Sequence, residues 1–317
     1  MSTNAAKMTI VVASHNARAS IEECLDALVG PQQDGQADIV VVDNSTDGTP
    51  EVIRKLFPQT KLIVTSPSAL IPELWALGIR QSVGEIVAIT TAHCVPDKTW
   101  LSEIAKAHQD PTPAIGGAIE NGPSARPVDW AIYFCRYSPY MLPFPQDFAP
   151  EIAGDNASYK RDYLNRFQHA WQDGFWEPAV HAELKKAGFR LLLVPSIIIH
   201  HRRSFGFLGF MKQRFQHGMK FGQERASRFS LLERMLYLAF SPAIPLIFLA
   251  RISYQVVRKR RHLGKLLIAS PLLVLFLLSW SFGELLGYMR RPRAQLSSSG
   301  GPGSEERGRH VSNTAGG

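Results

Sequence analysis

Apolar and polar positions along the first hundred residues fall into alternating blocks of two kinds. One kind is a continuous apolar run of strand length, at residues 8–13, 39–42, 61–65 and 85–90. The other has apolar residues three or four positions apart, which is the spacing of a helix that covers a sheet. Apolar strands separated by helices predict an α/β fold with a mostly parallel sheet sandwiched by helices, with ligands at the carboxyl ends of the strands.

Polar residues follow three of these strands and mark the place where a ligand site is expected. They are Ser14, His15 and Asn16, the acidic turn 43–49, and the stretch 91–94. In the acidic turn, Asp43 and Asp47 are able to accept hydrogen bonds from a base or a ribose, and the helix after it begins with free N–H groups for an anion. An ordinary capping turn accounts for the same residues equally well.

The middle of the chain carries fewer regular patterns. Residues 111–150 are rich in proline and aromatic residues and predict a loop-rich excursion. A helix is expected at 177–187, followed by strand residues at 190–194 and 197–199. This last run ends at His200 and His201. Because adjacent strand residues point to opposite faces, the pattern leaves open which of the two histidines faces the site.

The last third of the chain has a different character. Residues 235–250 and 266–283 carry no charge and contain prolines, and each run is borderline for a span, which needs about 20 apolar residues. Basic residues flank both runs on every side, and the positive-inside rule keeps all of these flanks in the cytosol. We therefore expect a helical hairpin that enters part of the bilayer or lies in its interface. The alternative is a soluble helical pair packed on the first domain.

Charge is distributed unevenly between the two parts of the chain. Residues 1–200 carry 16 Lys and Arg against 22 Asp and Glu, whereas residues 201–317 carry 19 against 5. A basic segment that also holds the longest apolar runs favours an anionic membrane surface as partner and disfavours nucleic acid. The short apolar run near the N-terminus is too brief for a signal peptide, so the first domain is expected on the cytosolic side.

Three cysteines, Cys24, Cys94 and Cys135, are odd in number and far apart. This arrangement indicates a reducing compartment and disfavours a zinc site built from cysteines.

Taken in order, these motifs resemble those of the family 2 glycosyltransferases, over residues 8–201. The resemblance implies the GT-A fold, which has a Rossmann-like, mostly parallel sheet, and a nucleoside-diphosphate sugar as donor. Segment 13–16 would line the nucleotide pocket, and Asp43 would hold the base. Gly154-Asp155-Asn156 matches a segment that helps to wall the sugar and acceptor site. The residues expected to bind the donor are Ser14, His15, Asn16, Asp43, Asp47, Thr91, Asn156 and Arg214.

The resemblance also implies a catalytic base. Counting back from Gly188, Glu177 stands at the position where the family has this residue. Without the resemblance, a glutamate in the first turn of a helix is explained by the helix macrodipole.

The sequence departs from the family where an Asp-x-Asp usually holds a divalent cation, because Thr91-Ala92-His93 stands there. Three alternatives stay open. His93 could join His200 or His201 around manganese, which accepts imidazole ligands, whereas magnesium prefers oxygen. Protein cations could instead neutralise the diphosphate; the candidates are Arg214, His217 and Arg225. In the third alternative the chain binds a nucleotide sugar without catalysis.

Together these signals predict a glycosyltransferase domain at 1–225, a membrane-embedded or interfacial helical region at 226–293 and a disordered tail at 294–317. The expected reaction is the inverting transfer of a sugar to a hydroxyl of a lipid-linked or polysaccharide acceptor. It would occur at the cytoplasmic face of a bacterial inner membrane, with manganese or magnesium as an open cofactor. The competing hypothesis is a catalytically inactive membrane adaptor that binds nucleotide sugars.

Overall fold

The computed structural model describes residues 8–30, 37–122, 125–202, 206–226 and 243–289, together with residues 230, 233, 235 and 240. Its first part alternates strands and helices. The elements are β1 (Met8–Ser14), α1 (Ile21–Val29), β2 (Ala37–Asp43), α2 (Thr49–Leu56), β3 (Lys61–Val64), α3 (Ile71–Arg80) and β4 (Ile86–Thr91). Each was expected from the sequence to within two residues at either end, because the strands are buried on both faces and need apolar residues throughout.

These four strands form a parallel sheet in the order β3-β2-β1-β4. The register sets Ser14 beside Asp43 and Ala13 beside Thr91. The three polar groups that follow the strands therefore reach the same edge of the sheet, as the sequence predicted.

The second part of the sheet is mixed. It contains β5 (Cys94–Pro96), α4 (Trp100–Ala107), β6 (Ala114–Asn121), α5 (Pro127–Tyr137), β7 (Asp147–Ala149), β8 (Ala157–Lys160), α6 (Arg161–Arg166), α7 (Glu177–Lys186) and β9 (Leu191–His201). The order continues as β4-β8-β6-β9-β5, and β7 also pairs with β9. Strand β8 is antiparallel to both of its neighbours, so the parallel pattern stops at β4.

The expectation of a loop-rich excursion at 111–150 was wrong over much of its length, because β6 and α5 lie there. Strand β6 contains Gly116 and Gly117, where an added Cβ would crowd Ile152 and the backbone of Ile197. Helix α5 is buried on most of its circumference, so its apolar residues show no helical period. Both features remove the signals on which a sequence pattern depends.

Three helices complete the described part of the chain: α8 (Phe207–Ala226), α9 (Ile244–Lys259) and α10 (Leu263–Met289). Helices α9 and α10 form a hairpin around residues 260–262. Leu273 and Phe276 of α10 belong to the same hydrophobic cluster as Trp130 and Phe134 of α5. The core is thus continuous between the sheet and these helices. The boundary at 225/226 stays a prediction, and the tail at 294–317 lies outside the described residues.

The turn between α9 and α10 lies against the sheet domain. Lys259 Nζ donates to the carbonyl oxygens of Ser138 (3.2 Å) and Pro139 (2.8 Å). Arg261 donates to both carboxylate oxygens of Glu120, at 3.0 and 3.1 Å. These basic residues are therefore on the same side as the sheet domain, as the positive-inside rule requires of a cytosolic domain.

Helices α8 and α10 run side by side at very short distance because glycines face each other. A Cβ on Gly283 would overlap the carbonyl oxygen of Phe215, and one on Gly222 would overlap that of Glu284. Small residues that let two backbones approach are typical of helices that pack in or near a membrane.

We expect Gly283→Ala to destabilise the protein by about 1–3 kcal/mol, because the new methyl group must push apart two packed backbones. Gly264→Ala is the matched control, since its Cβ would meet nothing within 4 Å and alanine is the better helix former. Thermal unfolding of both variants in the same detergent measures the difference. Equal melting temperatures would contradict the packing described here.

Candidate functional site

The edge at the ends of β1 and β2 is a connected polar surface. Ser45 donates through its amide to Asp43 Oδ1 (2.9 Å) and through its hydroxyl to Oδ2 (2.8 Å). The Asn16 amide donates to Ser45 Oγ (2.7 Å), and Asn16 has a positive φ of 47°. His15 Nδ1 lies 2.8 Å from Asn44 Oδ1. The structure therefore brings together the residues expected to hold the nucleotide.

Two members of this group have special environments. The Oγ of Ser14 is fully buried and has no hydrogen-bond partner within the described residues. Asp47 accepts hydrogen bonds from the amides of Arg18 (3.1 Å) and Thr49 (3.1 Å), so its carboxylate closes the turn before α2. These bonds hold the pKa of Asp47 below its usual value, against the opposing effect of burial. The capping role of Asp47 is thus real, and any contact with a donor is additional to it.

The end of β4 holds a buried ion pair that the sequence reasoning missed. Arg136 donates to Asp155 Oδ2 (3.2 Å), and the Tyr137 hydroxyl donates to the same oxygen (2.7 Å). Thr91 Oγ1 donates to Asp155 Oδ1 (3.0 Å). Burial raises the pKa of Asp155, but Arg136 and these donors outweigh it and the net shift is downward. Asp155 is therefore charged at neutral pH, beside the position where relatives carry the Asp-x-Asp.

His93 and His201 meet at this ion pair, whereas His200 does not. Burial lowers the pKa of His93 to about 4 and that of His201 to about 3; for each, the Arg136 charge lowers the pKa further. His93 Nδ1 lies 3.2 Å from Ser20 Oγ. His200 points to the other face of β9, with Nε2 3.6 Å from Asp97. The expectation that left His200 and His201 equal is thus decided for His201.

This histidine pair fits a divalent cation only in part. Both imidazoles are neutral at pH 7, as metal ligands must be. No group of three His, Cys, Asp or Glu suited to hold a metal occurs among the described residues. The Asp155 carboxylate is bound to Arg136. The pair therefore suits manganese with further ligands from a diphosphate and water, and it does not suit magnesium, which needs oxygen ligands.

Glu177 begins α7 with its carboxylate turned toward the same ion pair. The amide of Gly154 donates to Glu177 Oε1 (3.1 Å), and a Cβ on Gly154 would overlap that carboxylate and Trp75. Burial raises the pKa of Glu177 to about 7, and Asp155 adds to the increase while Arg136 opposes it. A carboxylate with this pKa exchanges protons near neutral pH.

Two expected donor contacts are placed differently. The Asn156 amide nitrogen donates to the carbonyl oxygens of Ala118 (2.8 Å) and Ile197 (3.0 Å), and its oxygen accepts from Trp100 (2.8 Å). Asn156 is thus engaged inside the sheet, which corrects its assignment to the donor. Arg214 lies on α8 near Arg136, and its guanidinium is over the ring of Phe210.

Together these residues span the edge of the sheet without interruption. His93 contacts the backbone of His15 on the nucleotide side, and the charge of Asp155 acts on His93 and on Glu177. The arrangement offers nucleotide contacts at one end, a guanidinium and two neutral imidazoles in the middle, and a general base at the other end.

Comparison with known proteins identifies the family. Residues 9–167, half of the chain, match the model described as Glycosyl transferase family 2. Curated protein sequences give no match.

Solved structures show the same fold. The mannosyltransferase PcManGT from Pyrobaculum calidifontis, in complex with GDP-Man and Mn2+, is 22% identical with a TM-score of 0.56, and the alignment covers 89% of this chain and 88% of that one. TarS 1-349 from S. aureus with UDP-GlcNAc is 15% identical (TM-score 0.47, 88% and 90% covered). GalNAc-T7 with UDP, GalNAc and Mn2+ is 15% identical (TM-score 0.49, 64% and 45% covered). The chain has the GT-A fold, belongs to glycosyltransferase family 2 and is a glycosyltransferase.

Proposed function

We propose that the protein is a membrane-associated, inverting glycosyltransferase that moves a sugar from a nucleoside diphosphate to a hydroxyl of a lipid-linked or glycan acceptor. The observation that carries this proposal is Glu177, a carboxylate whose pKa is raised to about 7 on the same sheet edge as the nucleotide contacts. Asp43 and the residues around it bind the nucleoside, as the family resemblance implies.

In the proposed reaction, Glu177 removes the proton from the acceptor hydroxyl as its oxygen attacks the anomeric carbon. The attack comes from the face opposite the diphosphate, so the configuration inverts. The amide of Gly154 orients the carboxylate through its hydrogen bond to Oε1. The bond from the anomeric carbon to the phosphate oxygen breaks, and the leaving diphosphate takes up the electron pair.

The negative charge that develops on the diphosphate must meet positive charge or preorganised donors. Arg136 provides a guanidinium that Asp155 and Tyr137 hold in place. A divalent cation bound by His93 and His201 would supply further positive charge at this point. The PcManGT structure, which contains GDP-Man and Mn2+, supports a nucleotide sugar as donor and a cation as cofactor.

The outer surface of α9 and α10 supports membrane association. Leu246, Ile247, Leu267 and Ile268 are each at least 60% exposed. Among the described residues, one helix, Leu263–Met289, is long and apolar enough to cross a bilayer, with a mean hydropathy of 2.1. Because the α9–α10 turn packs on the sheet domain, we infer that the hairpin lies in the cytoplasmic interface of an inner membrane.

The raised pKa of Glu177 gives a pH prediction. A base must be unprotonated to act, so we expect kcat/KM to fall about tenfold per pH unit below pH 7 and to level off above pH 8. The groups that face this carboxylate are Asp155, Arg136, Tyr140 and Tyr159. His93 and His201 titrate well below this range. A profile that stays flat from pH 5 to 8 would argue against Glu177 as the base.

The two adjacent histidines allow a matched test of the diphosphate site. We expect His201→Ala to raise the manganese concentration for half-maximal activity at least tenfold, because one of two imidazole ligands is lost. His200→Ala removes the same side chain from the opposite face and should leave this concentration unchanged. Titration of both purified variants with manganese gives the comparison. An equal response of the two variants would exclude His201 from the site.

The function itself is tested by thermal shift with a panel of nucleotide sugars, with and without manganese. A ligand that binds only the folded protein raises its melting temperature. Transfer or hydrolysis of the stabilising sugar nucleotide is then measured directly. Binding without either reaction would contradict the proposed enzyme and would favour the adaptor.

A further inference from the structure

A cavity of about 250 Å³ lies between the sheet domain and the C-terminal helices. Its walls come from α5, α8, α9 and α10. Three arginines line it, Arg136, Arg214 and Arg251, together with apolar residues that include Phe248, Leu277 and Trp280. The nucleotide contacts around Asp43 are not part of these walls.

The arginines give this cavity an excess of positive charge. Arg136 is paired with Asp155. Arg214 and Arg251 have no ion pair with a carboxylate in the described ranges, and the buried Nε of Arg214 has no hydrogen-bond partner there. Burial lowers the pKa of Arg214, and the nearby charge of Arg136 lowers it further. Two guanidinium groups held close together in a half-buried cavity are costly unless an anion lies between them.

The geometry of a guanidinium suits one class of anion in particular. Its planar set of N–H donors matches the oxygens of a phosphate. The apolar residues of the same cavity lie on α9 and α10, whose outer surfaces expose Leu246, Ile247 and Leu267. The cavity therefore joins a phosphate-binding wall to the surface that we infer to face lipid.

We propose that this cavity binds the phosphate of a lipid-linked acceptor, so that the acceptor is an anionic amphiphile and not a neutral glycan. This inference rests on the proposed function and narrows it. Arg136 belongs both to the cavity wall and to the ion pair beside Glu177. A phosphate held by Arg214 and Arg251 would thus place the attached sugar hydroxyl toward the catalytic carboxylate.

The test measures the binding of three probes to the full-length protein in a neutral detergent: hexyl phosphate, hexanol and inorganic phosphate. Calorimetry should show that hexyl phosphate binds at least tenfold more tightly than either of the other two, because it alone satisfies both walls. Arg251→Gln should weaken hexyl phosphate at least tenfold, and Arg214→Gln should do the same. Affinity for the nucleotide sugar should stay unchanged in Arg251→Gln, which also confirms that the variant is folded.

Arg258→Gln is the matched control, because Arg258 is exposed on the same helix two turns away and does not line the cavity. An equal loss in Arg258→Gln would mean a general charge effect and would overturn the proposal. Equal binding of inorganic and hexyl phosphate would show a free-phosphate site. Weaker nucleotide binding in Arg251→Gln would assign the cavity to the donor and leave the proposed function intact. Absence of nucleotide-sugar binding by the unaltered protein would overturn the proposed function and this assignment with it.

Discussion

Glu177→Gln is expected to lower kcat by on the order of a hundredfold or more while the affinity for the nucleotide sugar stays unchanged. Glutamine keeps the shape of the side chain and its ability to accept the hydrogen bond from the Gly154 amide. It cannot take a proton from the acceptor hydroxyl. The loss should therefore appear in turnover, and the limb of the pH profile below pH 7 should disappear with it.

Glu183→Gln is the matched control for this variant. Glu183 lies on the same helix α7 and makes a surface ion pair with Lys186 at 2.6 Å. Such pairs contribute about 1 kcal/mol or less to stability, and this one is remote from the ion pair at Asp155. Single-turnover measurements on both variants compare the chemical step directly. Full turnover in Glu177→Gln would remove this residue from the mechanism.

The parallel half of the sheet could be predicted from local patterns because its strands are buried on both faces. Continuous apolar runs at β1, β2 and β4 follow directly from this burial, and the turn residues after them mark the ligand edge. The register that brings Ser14, Asp43 and Thr91 together needs only the parallel arrangement.

The centre of the site could not be predicted in the same way. Arg136 and Asp155 come from α5 and from the turn before β8, and their contact depends on how the second half of the sheet is paired. The choice between His200 and His201 likewise depends on the partners of β9. A charged residue next to Asn156 in the family segment was a usable signal for Asp155, but nothing in the sequence pointed to Arg136.

The hairpin illustrates a different limit. Basic flanks excluded two ordinary crossings, and the structure adds the reason that local patterns omit: Arg261 and Lys259 are bound to the sheet domain through Glu120 and the carbonyls after α5. These contacts join residues more than a hundred positions apart in the chain. A charge count gives the side of the membrane, whereas the docking geometry requires the folded domain.

Asp155→Ala is expected to destabilise the protein by about 3–5 kcal/mol, which is the usual cost of leaving a buried charge without its partner. Arg136 would lose its carboxylate, and the hydroxyls of Thr91 and Tyr137 would lose their acceptor. Removal of this negative charge should also lower the pKa of Glu177 and move the activity profile to lower pH.

The second effect distinguishes an electrostatic role of Asp155 from simple packing, since a change of volume alone does not shift a pH profile. Asp97→Ala is the control for stability, because Asp97 is 3.6 Å from His200 in a pair with both side chains partly exposed and should cost about 1 kcal/mol or less. Denaturant unfolding compares the two variants, and the double variant Arg136→Met with Asp155→Leu should recover much of the loss. If Asp155→Ala costs no more than Asp97→Ala, the ion pair does not organise this site, and Glu177 owes its raised pKa to burial alone.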